Sequence, residues 1–433
     1  KLIKLIMKLY KSKKLYKKSL KKIAAPSTFS KGIDEYLSDI SPFAINKGQG
    51  AYTWDIDGNK YIDTIMSLGT VILGHSNKIV NQAIRQQLKK GISFSLTTKL
   101  EYEVAEILCD RIPSAEMVRF GKNGNDSTTA AIRLARHYTQ KDHILFCGYH
   151  AWQDWYICQT SMNSGIPKDI KKFSHRFKYN DLKDLESLLI KFSGKVSCII
   201  MEPVSKVQPK KNYLKNVRKL ADKHDVLLIF DEVVTGFRFS NGGYETICNV
   251  KPDLSCFSKA LANGMPLSAL VGKKEIMKES DKIFYSLTYG GETLSLAAAK
   301  ATLSILNKTK AYKKINYQGT RLIKGINKII QNENLQNYMQ IIGFPAKSFI
   351  VTFDHPNSNA NIIRDYVVKE LNASGILTQG ANILSLSHNN YIIDKILDKY
   401  SGILNKTKKY LDNNQLKNKL GNIKLKKSLR DIM

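Results

Sequence analysis

Residues 226–232 read VLLIFDE: five apolar residues in a row, then two carboxylates, Asp231 and Glu232. A run this short and this apolar is a strand buried on both faces, as in a parallel sheet covered by helices. Four more runs repeat the pattern: 117–120 (MVRF), 143–147 (HILFC), 196–201 (VSCIIM) and 254–258 (LSCFS). Helical stretches at 79–90, 100–112, 126–138, 181–192 and 212–224 alternate with them. The alternation predicts an α/β domain with a mostly parallel sheet. Upstream, GQGAYTWDIDGNKYID (48–63) reads as a hairpin turning at Asp57-Gly58-Asn59. From about residue 301 the pattern changes. A helix at 311–332, a strand-like 347–353, a helix at 360–374, a short run at 383–387 and a helix at 391–404 make a smaller α+β unit. The expected organisation is a basic extension (1–27), an arm and hairpin (28–77), a large α/β domain (78–300), a small domain (301–405) and a basic tail (406–433).

The residues just past each run carry the chemistry. Gly121-Lys122-Asn123-Gly124-Asn125 comes after the first, with a helix opening at Asp126 as its N-cap. Gly148-Tyr149-His150 comes after the second, Glu202-Pro203 after the third, Asp231-Glu232 after the fourth and Lys259 after the fifth. In open α/β sheets ligands bind outside the carboxyl ends of the strands. Singly, each residue has an ordinary reading: Gly/Asn turns precede many helices, an aromatic after a strand is commonly core, and most lysines are on the surface. Together they form a set. The turn offers backbone N–H groups to a phosphate, and Tyr149 offers a stacking face. Asp231 is a poorly solvated carboxylate in need of a cation. Lys259 is an amine that a partly dry pocket makes nucleophilic. Pyridoxal 5'-phosphate needs each of these.

Composition narrows the alternatives. No stretch approaches the ~18 apolar residues of a membrane span. The six cysteines contain no CxxC pair and sit in apolar runs, so buried free thiols in a reducing compartment are expected, and neither a metal site nor a disulfide framework. The net charge is +31 over 433 residues, of which residues 1–31 and 399–433 together carry +19. Lys outnumbers Arg 57 to 11, whereas base reading favours the guanidinium, so a nucleic-acid partner is not expected. In residues 1–23, Leu2, Leu5, Ile6, Leu9, Tyr16, Leu20 and Ile23 share a helical stripe among lysines. That suits either weak contact with an anionic membrane surface or a solvated or partner-packed extension with no membrane role. Interrupting lysines argue against a secretory signal, and the absence of arginine against a mitochondrial presequence.

At these residues the chain resembles the class III, fold-type-I pyridoxal-phosphate aminotransferases, in the branch containing glutamate-1-semialdehyde 2,1-aminomutase. The stretches that carry the resemblance are GAYTWDIDGNKYID (50–63), ILGH (72–75), EMVRFGKNGNDSTTAAIRLAR (116–136), GYHAWQDW (148–155), MEPV (201–204), LLIFDEVVTGFR (227–238), PDLSCFSKALANGMPLSALVG (252–272) and TYGGETLSLAAA (288–299). The resemblance covers about residues 28 to 405. It implies that Lys259 is the Schiff-base lysine and that Asp231 pairs with the pyridinium nitrogen. Val233 and Tyr149 would pack on opposite faces of the ring. Asn123, Gly124 and Asn125 would occupy the phosphate turn that the family writes Ser-Gly-Thr. Thr288 stands where the family places a phosphate-binding threonine from a second subunit, which implies a homodimer with shared active sites.

The departures lie on the substrate side. The aminomutase segment upstream of the hairpin supplies an arginine for the substrate carboxylate. Here Ser41-Pro42-Phe43-Ala44 stands nearest, and no arginine precedes Arg85. Leu68 replaces the tryptophan of Ser-Trp-Gly, and Gly291-Glu292-Thr293 replaces Gly-Asn-Pro. SMNSGIP (161–167) resembles a shortened gating loop. Arg238 and Arg364 are the candidates for a compensating arginine. The expected function is a cytoplasmic, dimeric transaminase passing an amino group from a small-molecule donor to a carbonyl acceptor. Glutamate-1-semialdehyde 2,1-aminomutase in tetrapyrrole synthesis is the alternative. A non-catalytic cofactor-binding regulator would need a DNA-binding domain that 31 residues of tail cannot form.

Overall fold

The computed structural model describes residues 9–24, 27–28, 30 and 41–421. Leu2, Leu5 and Ile6 of the N-terminal stripe, and the basic tail beyond 421, lie outside the described residues. The strands are β1 (Ile45–Gln49), β2 (Tyr52–Asp55), β3 (Lys60–Asp63), β4 (Met117–Gly121), β5 (His143–Cys147), β6 (Ser174–Arg176), β7 (Val196–Met201), β8 (Leu227–Asp231), β9 (Leu254–Phe257), β10 (Ser268–Gly272), β11 (Met339–Phe344), β12 (Lys347–Thr352), β13 (Ile376–Leu377) and β14 (Ala381–Ile383). They belong to two compact units. One takes the described residues up to Asn77 and those from Lys314 on; the other is Lys78–Lys313.

The second unit is built on a seven-stranded sheet of order β4-β10-β9-β8-β7-β5-β6. It is α/β and mostly parallel: β6, β5, β7, β8 and β9 run together, and β10 is antiparallel to both β4 and β9. Every residue of β7 and of β10 is buried, the consequence of helices covering both faces. The helix Gly124–Thr139 packs over β7, β9 and β10 through Ala131, Leu134 and Ala135, each 0% exposed. Alanines let it lie close, and Leu134 fills the space between strands. At the far edge β6 has only three residues. Its His175 ring stacks on Phe192 (3.9 Å between centroids), and Gln159 donates to the Ser174 carbonyl.

The first unit holds a four-stranded sheet, β1-β2-β3-β13, and a three-stranded one, β11-β12-β14. β2 and β3 form the hairpin read at 48–63, with Asp55 Oδ1 accepting the N–H groups of Asp57 and Asn59 to close the turn. Asp57 then does a second job. Its two carboxylate oxygens accept the Lys11 and Ser12 N–H groups at 2.7 and 2.8 Å, capping the N-terminal helix Tyr10–Ser19 from a distant turn. Tyr16 packs on Phe43 with ring centroids 5.1 Å apart. The helix thus packs on its own chain, while Leu15, Leu20 and Ile23 remain exposed.

β3 ends at Asp63, and Met66, Ser67, Leu68 and Gly69 come next but two with positive φ in succession. Three of the four are not glycine, and each left-handed residue of that kind costs ~1 kcal/mol or more. Asp63 holds the run: its Oδ1 accepts the Ile65 and Met66 N–H groups (2.9 and 2.8 Å), and its Oδ2 lies 2.9 Å from His75 Nε2.

Candidate functional site

The site is best built from Asp231, the last residue of β8. Its Oδ1 accepts the Val233 N–H at 3.0 Å, and its Oδ2 lies 2.7 Å from His150 Nδ1. The two side chains are 5% and 0% exposed, so neither is neutralised by water. His150 Nε2 lies 3.2 Å from the Cys147 carbonyl, which can only accept. Each ring nitrogen of His150 thus faces an oxygen, and the imidazole holds the second carboxylate oxygen of Asp231 in place. β5 and β8 are separated by β7 in the sheet, so His150, three residues past β5, reaches across a strand end to do this.

Glu202, just past β7, is 3% exposed, and its Oε2 accepts the Tyr149 N–H at 3.1 Å. Gly148 has φ +110°, and a Cβ there would stand 2.9 Å from Glu202 Oε2. Only glycine fits that turn. Tyr149 is half-buried and meets Tyr156 edge-on, with centroids 5.8 Å apart. Val233 is half-buried against the same apolar cluster as Tyr149. The turn Asn123–Asn125 passes directly over Val233: a Cβ on Gly124 would lie 2.7 Å from Val233 Cγ1.

The helix after that turn begins at Gly124, with Asn123 as its N-cap. This corrects the expectation of a helix opening at Asp126 with Asp126 as its cap. Asp126 is the third helical residue, and its Oδ2 reaches back to the Asn123 and Lys122 N–H groups at 2.7 and 2.9 Å. The amides of Gly124 and Asn125 lie in the first turn, whose N–H groups have no partner within the helix and suit an anion.

β9 pairs with β8 so that Cys256 stands opposite Asp231, and Lys259 comes three residues later. Lys259 is half-buried and has φ +43°, a left-handed conformation strained for a residue with a side chain. Ser258 beside it donates Oγ to the Leu267 carbonyl at 2.8 Å. Thr288 stands apart, exposed on the irregular segment before the helix Thr293–Thr309, with Leu287 38% and Tyr289 62% exposed beside it.

Asp231, which ends β8, and Glu232, the residue after it, go to different partners. Asp231 takes a histidine; Glu232 turns into the interior, 1% exposed, its Oε1 accepting the Tyr244 N–H at 2.5 Å and its Oε2 accepting from Thr235 Oγ1. Burial pushes the Glu232 carboxyl up to about 8. Of the two arginines considered for a substrate carboxylate, Arg238 is 1% exposed, and burial lowers its guanidinium to about 10. Arg364 donates Nε and Nη2 to Asp365 Oδ1, both at 3.1 Å.

His150 is the residue that sequence reading passed over. Its one visible sign is a histidine placed directly after the strand-end aromatic.

Comparison with known proteins gives the same direction. The family profile of the class-III aminotransferases matches residues 36–407. The glutamate-1-semialdehyde 2,1-aminomutase of Wigglesworthia glossinidia brevipalpis is 32% identical over 415 residues, 89% of this chain and 95% of that protein. The protein of the same name from Archaeoglobus fulgidus is 35% identical over 365 residues, 80% and 85% of the two chains. Among solved structures, the internal aldimine form of the Sphingopyxis sp. MTA144 FumI protein superposes with TM-score 0.87 at 23% identity, over 93% of this chain and 97% of that one. A glutamate-1-semialdehyde aminomutase from Pseudomonas aeruginosa PAO1 gives 0.81 at 20% identity, over 93% and 95%. At these identities the structural likeness is one of fold.

Proposed function

This chain belongs to the class-III aminotransferase family, and on that premise we propose that it is a pyridoxal-phosphate-dependent transaminase. It would move an amino group between a small-molecule donor and a carbonyl acceptor. The observation that carries the reading is Asp231: a buried strand-end carboxyl group held in place by His150, with Lys259 past the neighbouring strand.

The residues fit the cofactor. The first-turn amides of Gly124 and Asn125, with Asn123 at the cap, would hold its phosphate. Val233, over which that turn passes, and Tyr149 would bound its ring, and Asp231 would face the ring nitrogen. Bound there, the cofactor supplies an aldehyde that takes up an amine and a ring that draws electrons from the adjoining carbon. Asp231, buried at the end of its strand, would keep a proton on the ring nitrogen. Lys259 would hold the cofactor, and its Nζ, when free, would move the proton from the donor α-carbon. Thr288, exposed on its own chain, would serve the phosphate site of a second copy, making the protein a homodimer. No helix among the described residues is long and apolar enough to cross a membrane; we assign the enzyme to the cytoplasm. The exposed Leu15, Leu20 and Ile23 among lysines leave the N-terminal helix a surface for weak membrane contact.

The aminomutase reading has the relatives' names in its favour. Against it stand the missing arginine at 41–44, Leu68 in place of an aromatic, and the engagement of Arg364 by Asp365. We therefore expect a different acceptor. Hydride reduction of the holoenzyme should fix the cofactor to Lys259, read by peptide mass; attachment at another lysine would overturn the site. Comparing kcat/KM for glutamate-1-semialdehyde with simple aldehydes and keto acids decides the substrate. A wide margin for the semialdehyde would replace the transaminase reading by the aminomutase.

A further inference from the structure

A lysine beside a phosphate turn invites assignment as a phosphate ligand, yet Lys122 is engaged elsewhere. Its Nζ donates to Glu292 Oε2 at 3.0 Å and to Ser295 Oγ at 3.4 Å, and the two charged side chains are only 15% and 12% exposed. Glu292 is the N-cap of the helix Thr293–Thr309: its Oε1 accepts the Leu294 N–H at 2.5 Å, and its Oε2 accepts the Ser295 hydroxyl at 2.6 Å. Burial would raise this carboxyl, but the hydrogen bonds from Ser295 and Lys122 hold it below the usual carboxylate range. Glu292 is also one of the chain's departures, a carboxylate where the family writes a neutral asparagine. A half-buried carboxylate there needs a cation, and Lys122 is that cation.

The same strand grips the other end of the segment. Arg119, on β4, donates to Asp281 Oδ1 at 2.7 Å and to the Tyr285 carbonyl at 2.9 Å. Thr288 lies between the two grips, three residues after Tyr285 and four before Glu292. Gly291 lets the segment pass against Glu101, and Thr293 Oγ1 donates to the Gly91 carbonyl at 2.9 Å, so the pair is one of several holds. β4 and the turn after it thus carry a phosphate site in their own subunit and also seat the segment that bears Thr288.

We propose that Lys122 and Glu292 are a positioning pair that sets Thr288 for the phosphate site of the partner subunit. The proposal rests on the shared-site reading given above. It predicts that loss of Lys122 is felt by the other subunit's cofactor.

The test uses hybrid dimers with two affinity tags in which only one subunit keeps Lys259. The other carries Lys259→Ala, so hydride-fixed cofactor reports a single site. Its half-saturating pyridoxal phosphate concentration is measured with Lys122→Met placed in either subunit. Lys122→Met in the Lys259→Ala subunit should raise it about ten-fold, the usual weight of a charge-assisted contact. In the reporting subunit the change should stay under about two-fold. Phosphate-free pyridoxal should show neither change, which separates positioning from general damage. Thr288→Ala in the Lys259→Ala subunit is the control. If it is silent, or if the subunits do not associate, the shared-site reading fails. If it acts while Lys122→Met acts only within its own subunit, or not at all, the positioning role is overturned.

Discussion

Asp63 and Asp231 are built alike and, on the function proposed above, used differently. Each is the last residue of a strand. Each gives Oδ1 to the N–H two residues on, Ile65 or Val233, and Oδ2 to a histidine, His75 at 2.9 Å or His150 at 2.7 Å. Asp63 also accepts the Met66 N–H and leads into four left-handed residues, so its hydrogen bonds offset backbone strain. Asp231 leads into Val233, which lies under the Gly124 turn, on the strand beside the one that precedes Lys259. An Asp–His pair at a strand end is therefore a device for holding a carboxylate in place. Its use for structure or chemistry is decided by what else the neighbouring strand ends present.

Substitutions should separate the two uses. The largest effect is expected for Lys259→Ala, which should abolish turnover and hydride-fixed cofactor with the melting temperature little changed. Asp231→Asn keeps the shape and loses the charge. Turnover should fall about a thousandfold, a barrier increase of ~4 kcal/mol, with the fold intact. Asp63→Ala should do the reverse. Orphaning two amides and His75 should cost ~2–3 kcal/mol of stability in urea unfolding, while turnover per folded molecule stays near normal. Should Asp63→Ala cost turnover and spare stability, the contrast between the two aspartates collapses.

Each pair also has a buried titrating neighbour, and the two act in opposite senses. Burial raises the Glu232 carboxyl from 4.5 to about 8, so the folded chain keeps a proton that the unfolded chain releases. Stability should fall as pH rises through that interval. His388, hydrogen-bonded to Ser385 and near Asp63 and His75, is lowered by burial from 6.5 to about 4. There the unfolded chain takes up a proton that the folded one refuses, and stability should fall as pH drops from 6.5 to 4. Between pH 4.5 and 6.5 the two slopes oppose each other, so in urea midpoints across pH Glu232→Gln should unmask the fall toward acid and His388→Gln the fall toward higher pH. The smallest effect concerns the N-terminal helix. Asp57→Ala should cost about 1 kcal/mol, seen as faster proteolysis within residues 9–24 and no change in turnover.

The parts of the fold that were legible in sequence are those where one physical cause acts alone. Strands buried along most of their length, β5, β7, β8 and β9, appear as mainly apolar runs, and the part-exposed edge strand β4 as the short β-rich run MVRF. β6 has three residues, too few to read; β10, SALVG, is as long as β8, but it opens on Ser and closes on Gly and leaves only three apolar residues in a row. The cap before the helix Gly124–Thr139 was misplaced because Asn123 and Asp126 both have capping chemistry; only the backbone shows which reaches back to the other. Ser67 and Leu68 give no local sign of positive φ, since the conformation is imposed by Asp63 and by packing. The partner of Asp231 was invisible for a related reason. His150 is 81 residues away, and its aim depends on β5 and β8 flanking the same strand.

The three-residue β6 has a consequence for the protein at high concentration. A free strand edge is a template on which another chain can add a strand, and long flat edges seed aggregates. This edge offers too few residues to template a stable ladder, the Ser174 carbonyl is occupied by Gln159, and His175 is stacked on Phe192. A sheet whose central strands are buried is thereby closed to growth at the side where its parallel strands end.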